Sequence, residues 1–119
     1  VSNSGVVSAD VTGVGTARYG LAASSYGGDK AIFAYGYASG YVSMSNLVNN
    51  SGVVAADVSG VGSARSGLGS SSYGGDKAIF GFGSTGSYVS LTNLVNNSGV
   101  VGADVSGVGT ARFGIAATE

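Results

Sequence analysis

The chain has 119 residues, of which 23 are Gly and 20 are Ser; only 9% are charged, and none is Cys, His, Trp or Pro. Without Cys or His there is no disulfide framework, no thiolate or imidazole metal site, no cysteine nucleophile and no serine–histidine triad. A net charge of −1 gives no electrostatic footprint for nucleic acid, and no apolar run approaches the roughly 18 residues a membrane-spanning helix needs.

High Gly plus Ser often marks a flexible linker, but 17 Val, seven Tyr and four Phe occur here in short clusters bounded by Gly, Ser and Asn. That texture predicts many short strands joined by tight turns. The chain opens at Val1, without an initiator Met or a visible signal peptide, and so reads as processed or as a piece of something longer. Val1, Val48 and Val95 begin the same segment, giving a period of 47 residues; 32 of the 47 positions are identical between residues 1–47 and 48–94, and the first 25 residues return as 95–119. A full repeat is neutral, so the excess charge reduces to Glu119.

Four strands are predicted per repeat. The first spans residues 6–14, recurring at 53–61 and 100–108. A Gly-Val-Gly connection leads to the second, at 18–25, 65–72 and 112–118. The Tyr26-Gly27-Gly28-Asp29 turn is a hairpin signal, because paired glycines accept positive φ. The third strand, at 30–37 and 77–84, carries the apolar run Ala31-Ile32-Phe33, and the fourth lies at 42–49 and 89–96. Helices are excluded by the frequency of Gly and the lack of a sustained 3.6-residue apolar period.

Four short antiparallel strands in a repeat of this length predict an all-β protein of β-propeller-type blades, with a β-solenoid as the alternative fold. Residues 1–16 would be the outer strand of a partial blade, 17–63 and 64–110 two blades, and 111–119 the inner strand of another partial blade. The array is thus incomplete in one chain. The small residues of Ala17-Arg18-Tyr19-Gly20-Leu21-Ala22-Ala23 suit a crowded innermost strand. Read from Ala17, with Arg-x-Gly opening the inner strand and Gly-Asp-Lys-Ala-Ile-Phe entering the next, the repeat resembles a kelch-type blade. The block YGGDKAIF followed by an aromatic-Gly pair is also similar to tandem repeats of tail-associated virion proteins of tailed bacteriophages. That resemblance implies a virion or extracellular, cell-surface setting and supplies no catalytic residues.

Asp10, Asp57 and Asp104, with Arg18, Arg65 and Arg112, flank the connection between repeats. The arginines form a candidate clamp for a carboxylate or phosphate; the alternative is a contact tying neighbouring blades together, with the aspartates as its inter-blade structural partners. One Asp followed by Val and Gly falls far short of the oxygen donors calcium requires, so no metal is expected. Asp29-Lys30 and Asp76-Lys77 read as hairpin ends, the Gly-x-Gly pieces open no helix and lack a Walker lysine, and Asn49-Asn50-Ser51 is a formal glycosylation sequon in a turn.

The binding candidate is the loop in which the copies differ most, Tyr37-Ala38-Ser39-Gly40 before Tyr41 against Ser84-Thr85-Gly86-Ser87 before Tyr88. Tyr37, Ser39, Tyr41, Thr85, Ser87 and Tyr88 are its candidate contact residues, since variable loops on a rigid repeat carry specificity and exposed Tyr suits sugar or protein contact. The sequence thus predicts no enzyme and no cofactor. It predicts a structural or binding module for glycan or host-surface protein, or else an architectural filament subunit. Two chains joined end to end come close to five repeats, but each junction would lack two strands. The isolated chain is therefore expected to self-associate, as a homo-oligomer or with the rest of a longer array, through exposed strand edges.

Overall fold

In a computed structural model, residues 1–118 are described. Gly27-Gly28 and Gly74-Gly75 all take positive φ, and each pair turns the chain through a hairpin. Strands β1 (Ala22–Tyr26) and β2 (Lys30–Ala34) pair antiparallel, as do β4 (Gly69–Tyr73) and β5 (Lys77–Gly81). A further strand closes each repeat's pairing, β3 (Ser45–Val48) on β2 and β6 (Thr92–Val95) on β5. The protein is all-β: two three-stranded antiparallel sheets, ordered β1-β2-β3 and β4-β5-β6, with no helix among the described residues.

Two features of the predicted strands are corrected. The strand expected at 53–61 exists only as isolated bridges, Val54 to Val48 and Val58 to Ser45, and that at 100–108 as Val101 to Val95 and Val105 to Thr92. The backbone touches the sheet edge at two points without forming a continuous ladder. Residues 6–14, with nearly the same sequence, form no strand and are exposed, because no described strand lies beside them. Likewise the predicted strand at 112–118 is absent, since no hairpin partner runs next to it.

The predicted strand at 30–37 stops at Ala34 because Tyr35 adopts φ 64°, and its counterpart Phe82 adopts φ 65°. A bulky residue in the left-handed region costs about 1–3 kcal/mol. Packing offsets that cost at Tyr35: the ring is fully buried, its hydroxyl donates to Val61 O at 3.1 Å, and its backbone N–H donates to Met44 O at 3.0 Å. The turn it makes frees the Tyr35 carbonyl for Arg18.

The core lies between the sheets. Ala22, Tyr26, Ile32, Ala34 and Tyr35 of the first repeat meet Leu68, Ala78, Phe80 and Val95 of the second, with the Tyr35 and Phe80 rings edge to face at 5.6 Å. Along β2 the buried side chains are Ile32 and Ala34, whereas along β5 they are Ala78 and Phe80, next to a buried Gly81 that has no side chain to direct. These sets are one residue out of step in the repeat, and successive strand residues face opposite sides. The sheets therefore stack face to back. Backbone bonds repeat the stacking: Gly67 N donates to Gly20 O at 2.9 Å, and Gly114 N donates to Gly67 O at 2.7 Å.

Candidate functional site

The predicted Arg and Asp residues belong to one recurring network, and its hub is an asparagine that sequence reasoning passed over. Arg18 donates through Nε to Tyr35 O at 2.8 Å, through Nη1 to Thr16 O at 3.0 Å and through Nη2 to Asn46 Oδ1 at 2.8 Å. Asn46 Nδ2 in turn donates to Asp57 Oδ1 at 2.8 Å and to Ala55 O at 3.1 Å. The Asp57 carboxylate also accepts from Thr16 N at 3.1 Å and Thr16 Oγ1 at 2.6 Å. Arg and Asp thus meet through Asn46 instead of pairing directly. These bonds from Thr16 and Asn46 hold the Asp57 carboxyl below the ordinary carboxylate range.

The second repeat rebuilds most of the network more deeply, but Arg65 Nη2 and Asn93 Oδ1, the counterparts of the bonded Arg18 and Asn46 atoms, are buried without a hydrogen-bond partner. Arg65 is fully buried, lies 4.4 Å over the Tyr35 ring, and donates to Phe82 O at 2.8 Å and Ser63 O at 3.0 Å. Asn93 Nδ2 and Ser63 reach Asp104 as their counterparts reach Asp57. Burial pushes the Asp104 carboxyl up, but bonds from Ser63 and Asn93 outweigh it and the net direction is down. Each Asp fastens its outer segment to the connection entering the same sheet. A fully buried Arg65 presents no surface to a ligand. Arg18 is half-buried, and Arg112 is exposed, 4.0 Å over the Phe82 ring. Asp10 is exposed, with no hydrogen bond among the described residues. The signal that could have exposed the hub is Asn within the strand sequence Asn-Leu-Val of both copies, since Asn is depleted from strands unless something holds it.

The variable loops lie on a surface of different character. Gly36 N donates to Arg65 O at 2.8 Å, and Val42 N donates back to Gly36 O at 3.0 Å, so residues 37–41 project as a tight loop. Tyr37 pairs with both Tyr19 and Tyr41 through isolated bridges. The Tyr37 ring lies 5.5 Å from that of Tyr19 and 5.0 Å from that of Tyr41. Tyr19 is 68% exposed and Tyr41 38%. Ser39 is exposed at the loop tip, and Tyr37 is half-buried.

In the second repeat Ser66 and Ser84 replace Tyr19 and Tyr37 at the same bridged positions. Tyr88 stacks on Phe113 at 4.6 Å, and both are exposed. Thr85 and Ser87 are exposed, and the loop is closed by Thr85 N donating to Ser87 O at 3.1 Å. A Cβ on Gly20 would meet Ser66, and one on Gly67 would meet Phe113, so Tyr19, Ser66 and Phe113 follow one another across the repeats. The outcome is a row of exposed rings interrupted by hydroxyls.

Other sequence features take structural places. The Asn49 side chain accepts from Ser51 N at 2.9 Å and Val53 N at 3.0 Å, shaping its own turn. Lys30 and Lys77 pair with the adjacent Asp29 and Asp76 at the hairpin ends. No group of three His, Cys, Asp or Glu among the described residues could hold a metal ion. No protein-family model matches the chain, and no curated protein matches it significantly.

Proposed function

We propose that this protein is a non-enzymatic binding module of a virion or cell-surface assembly, in which β-propeller-type repeats present an aromatic face to a glycan or surface protein. The cluster of exposed Tyr19 and Tyr41 about the half-buried Tyr37 carries this reading. Contiguous exposed aromatics on a soluble surface mark interaction sites. Tyrosine offers a flat apolar face to the C–H side of a sugar ring, with a hydroxyl at its rim for the sugar's own hydroxyls. Ser39, Ser66 and Ser84 add hydroxyls close by, and the absence of net charge in a repeat favours a neutral ligand.

The propeller-type reading draws support from two discrete sheets, with β1 against β4 and β5, rather than one continuous stack as in a solenoid. The setting follows from the resemblance to phage tail-associated repeats. Binding to a panel of neutral and acidic glycans, followed by titration calorimetry, tests the function. Tyr37→Ala and Tyr41→Ala should each weaken the best ligand about tenfold, in line with about 0.5–1.5 kcal/mol for an aromatic contact beyond its buried area. Equal binding by the wild type and both variants would refute the proposed face. No binding in any assembled state would leave an architectural role, as a filament- or fibre-forming subunit.

A further inference from the structure

The face of the first sheet turned away from the second repeat borders a groove of about 660 Å³, lined among others by Val11, Val14, Arg18, Leu21 and Phe33. Its walls have counterparts inside the molecule. Arg65, Leu68 and Phe80 stand at the positions of Arg18, Leu21 and Phe33, and all three are buried by the β1-β2-β3 sheet. That sheet is held at its outer edge by residues 53–63, through Val54 and Val58. Residues 6–16 repeat that edge segment in sequence, and Val11, Thr12, Gly13, Val14 and Thr16 of it line the groove. The groove is therefore a second copy of the socket that already holds one three-stranded sheet.

The matching plug is also present. The far face of β4-β5-β6 carries Ile79 and Phe82 where the first sheet buries Ile32 and Tyr35, and Tyr73 is 38% exposed where Tyr26 is 4%. In the single chain this sheet's edge and face are occupied by residues 100–118. Those residues belong to a segment, 95–119, that matches residues 1–25 at 18 of 25 positions. We propose that the groove receives the β4-β5-β6 sheet of a second copy, whose residues 100–118 give up their place to residues 6–24 of the first.

Continuity with the interface inside the chain carries the argument. After the exchange, Asp10 takes the bonds Asp104 now accepts from Asn93 Nδ2 at 3.0 Å and from Ser63 Oγ at 2.6 Å. Each added copy then advances the array by two whole repeats. This inference concerns the groove and stands apart from the glycan-binding reading.

Opposite responses of two equivalent aspartates test it, read as mass by sedimentation velocity over low to high micromolar concentrations. Asp10→Ala weakens association at least about tenfold, because it removes charged hydrogen bonds that only the assembled form makes. Its unfolding midpoint as a monomer stays that of the wild type. Asp104→Ala loosens the internal competitor and shifts the chain to larger species. A mixture of Val7→Cys and Val95→Cys chains forms a disulfide-linked dimer, since Val101, the counterpart of Val7, is bridged to Val95. A monomer throughout the range, a common response of the two Ala variants, or no cross-link overturns the proposal and gives the groove another occupant, such as a small apolar ligand.

Discussion

The two sheets share most of their sequence and bury opposite faces. In the first, Ile32 and Ala34 point into the core while Phe33 is half-buried; in the second, Phe80 is fully buried while Ile79 is half-buried. Each repeat carries an apolar surface on both sides, and the neighbour decides which becomes core. Arg18 and Arg65 show the same asymmetry: one network at two depths, set by whether another sheet covers it. Burial here is a property of position in the array more than of the residue.

Paired substitutions can break this comparison. Phe80→Ala should cost about 3–5 kcal/mol, the range for truncating a buried Phe, and Phe33→Ala about 1–2 kcal/mol from its smaller buried area. Urea denaturation of both variants checks the difference, and equal losses would mean that the groove face is covered in solution. Next in size, Arg65→Ala should destabilise by about 2–3 kcal/mol, since it leaves the Phe82 and Ser63 carbonyls unpaired in a closed interface and removes the packing over the Tyr35 ring. Arg18→Ala, with water at hand to replace its bonds, should cost about 1 kcal/mol, and equal unfolding midpoints would refute the asymmetry.

The smallest effect is acid sensitivity. Asp57 and Asp104 are both held below the ordinary carboxylate range. Their contribution is therefore complete above the unfolded-chain value of about 3.9 and is lost as pH falls below it through the folded values. Asp57→Asn and Asp104→Asn should each flatten the fall in thermal midpoint between about pH 4 and pH 2. A profile unchanged in either variant would show that the network does not depend on the carboxylate charge.

Much of the fold was legible in the sequence because it rests on local chemistry. Gly-Gly pairs dictate hairpins, and Ala-Ile-Phe beside them dictates a strand, so β1, β2, β4 and β5 were readable within a few residues. What depended on neighbours was not. Residues 6–14, 53–61 and 100–108 read alike, yet one is bare and two are bridged to a sheet edge, because only the latter have a strand alongside. The left-handed turn at Tyr35 was hidden since bulky aromatics usually avoid that conformation, and only the Gly after each aromatic hinted at it. At the site, the Tyr-bearing variable loop could be picked out by comparing copies. The Asn46 hub could not, because Asp57 and Arg18 lie 11 and 28 residues from it in sequence.

The face-to-back stacking has a consequence for how such a gene can change. A face-to-face pair of sheets would bury one shared surface and leave no matching face for a third unit. Here one 47-residue unit encodes both partners of the contact, so unequal recombination that adds or removes a unit hands the newcomer a ready-made neighbour on either side. A substitution in the shared contact is then tested in every copy to which it spreads, whereas Tyr37 against Ser84 shows where copies are free to diverge. Array length and surface specificity can thus vary independently, the first by counting units and the second by editing one loop at a time.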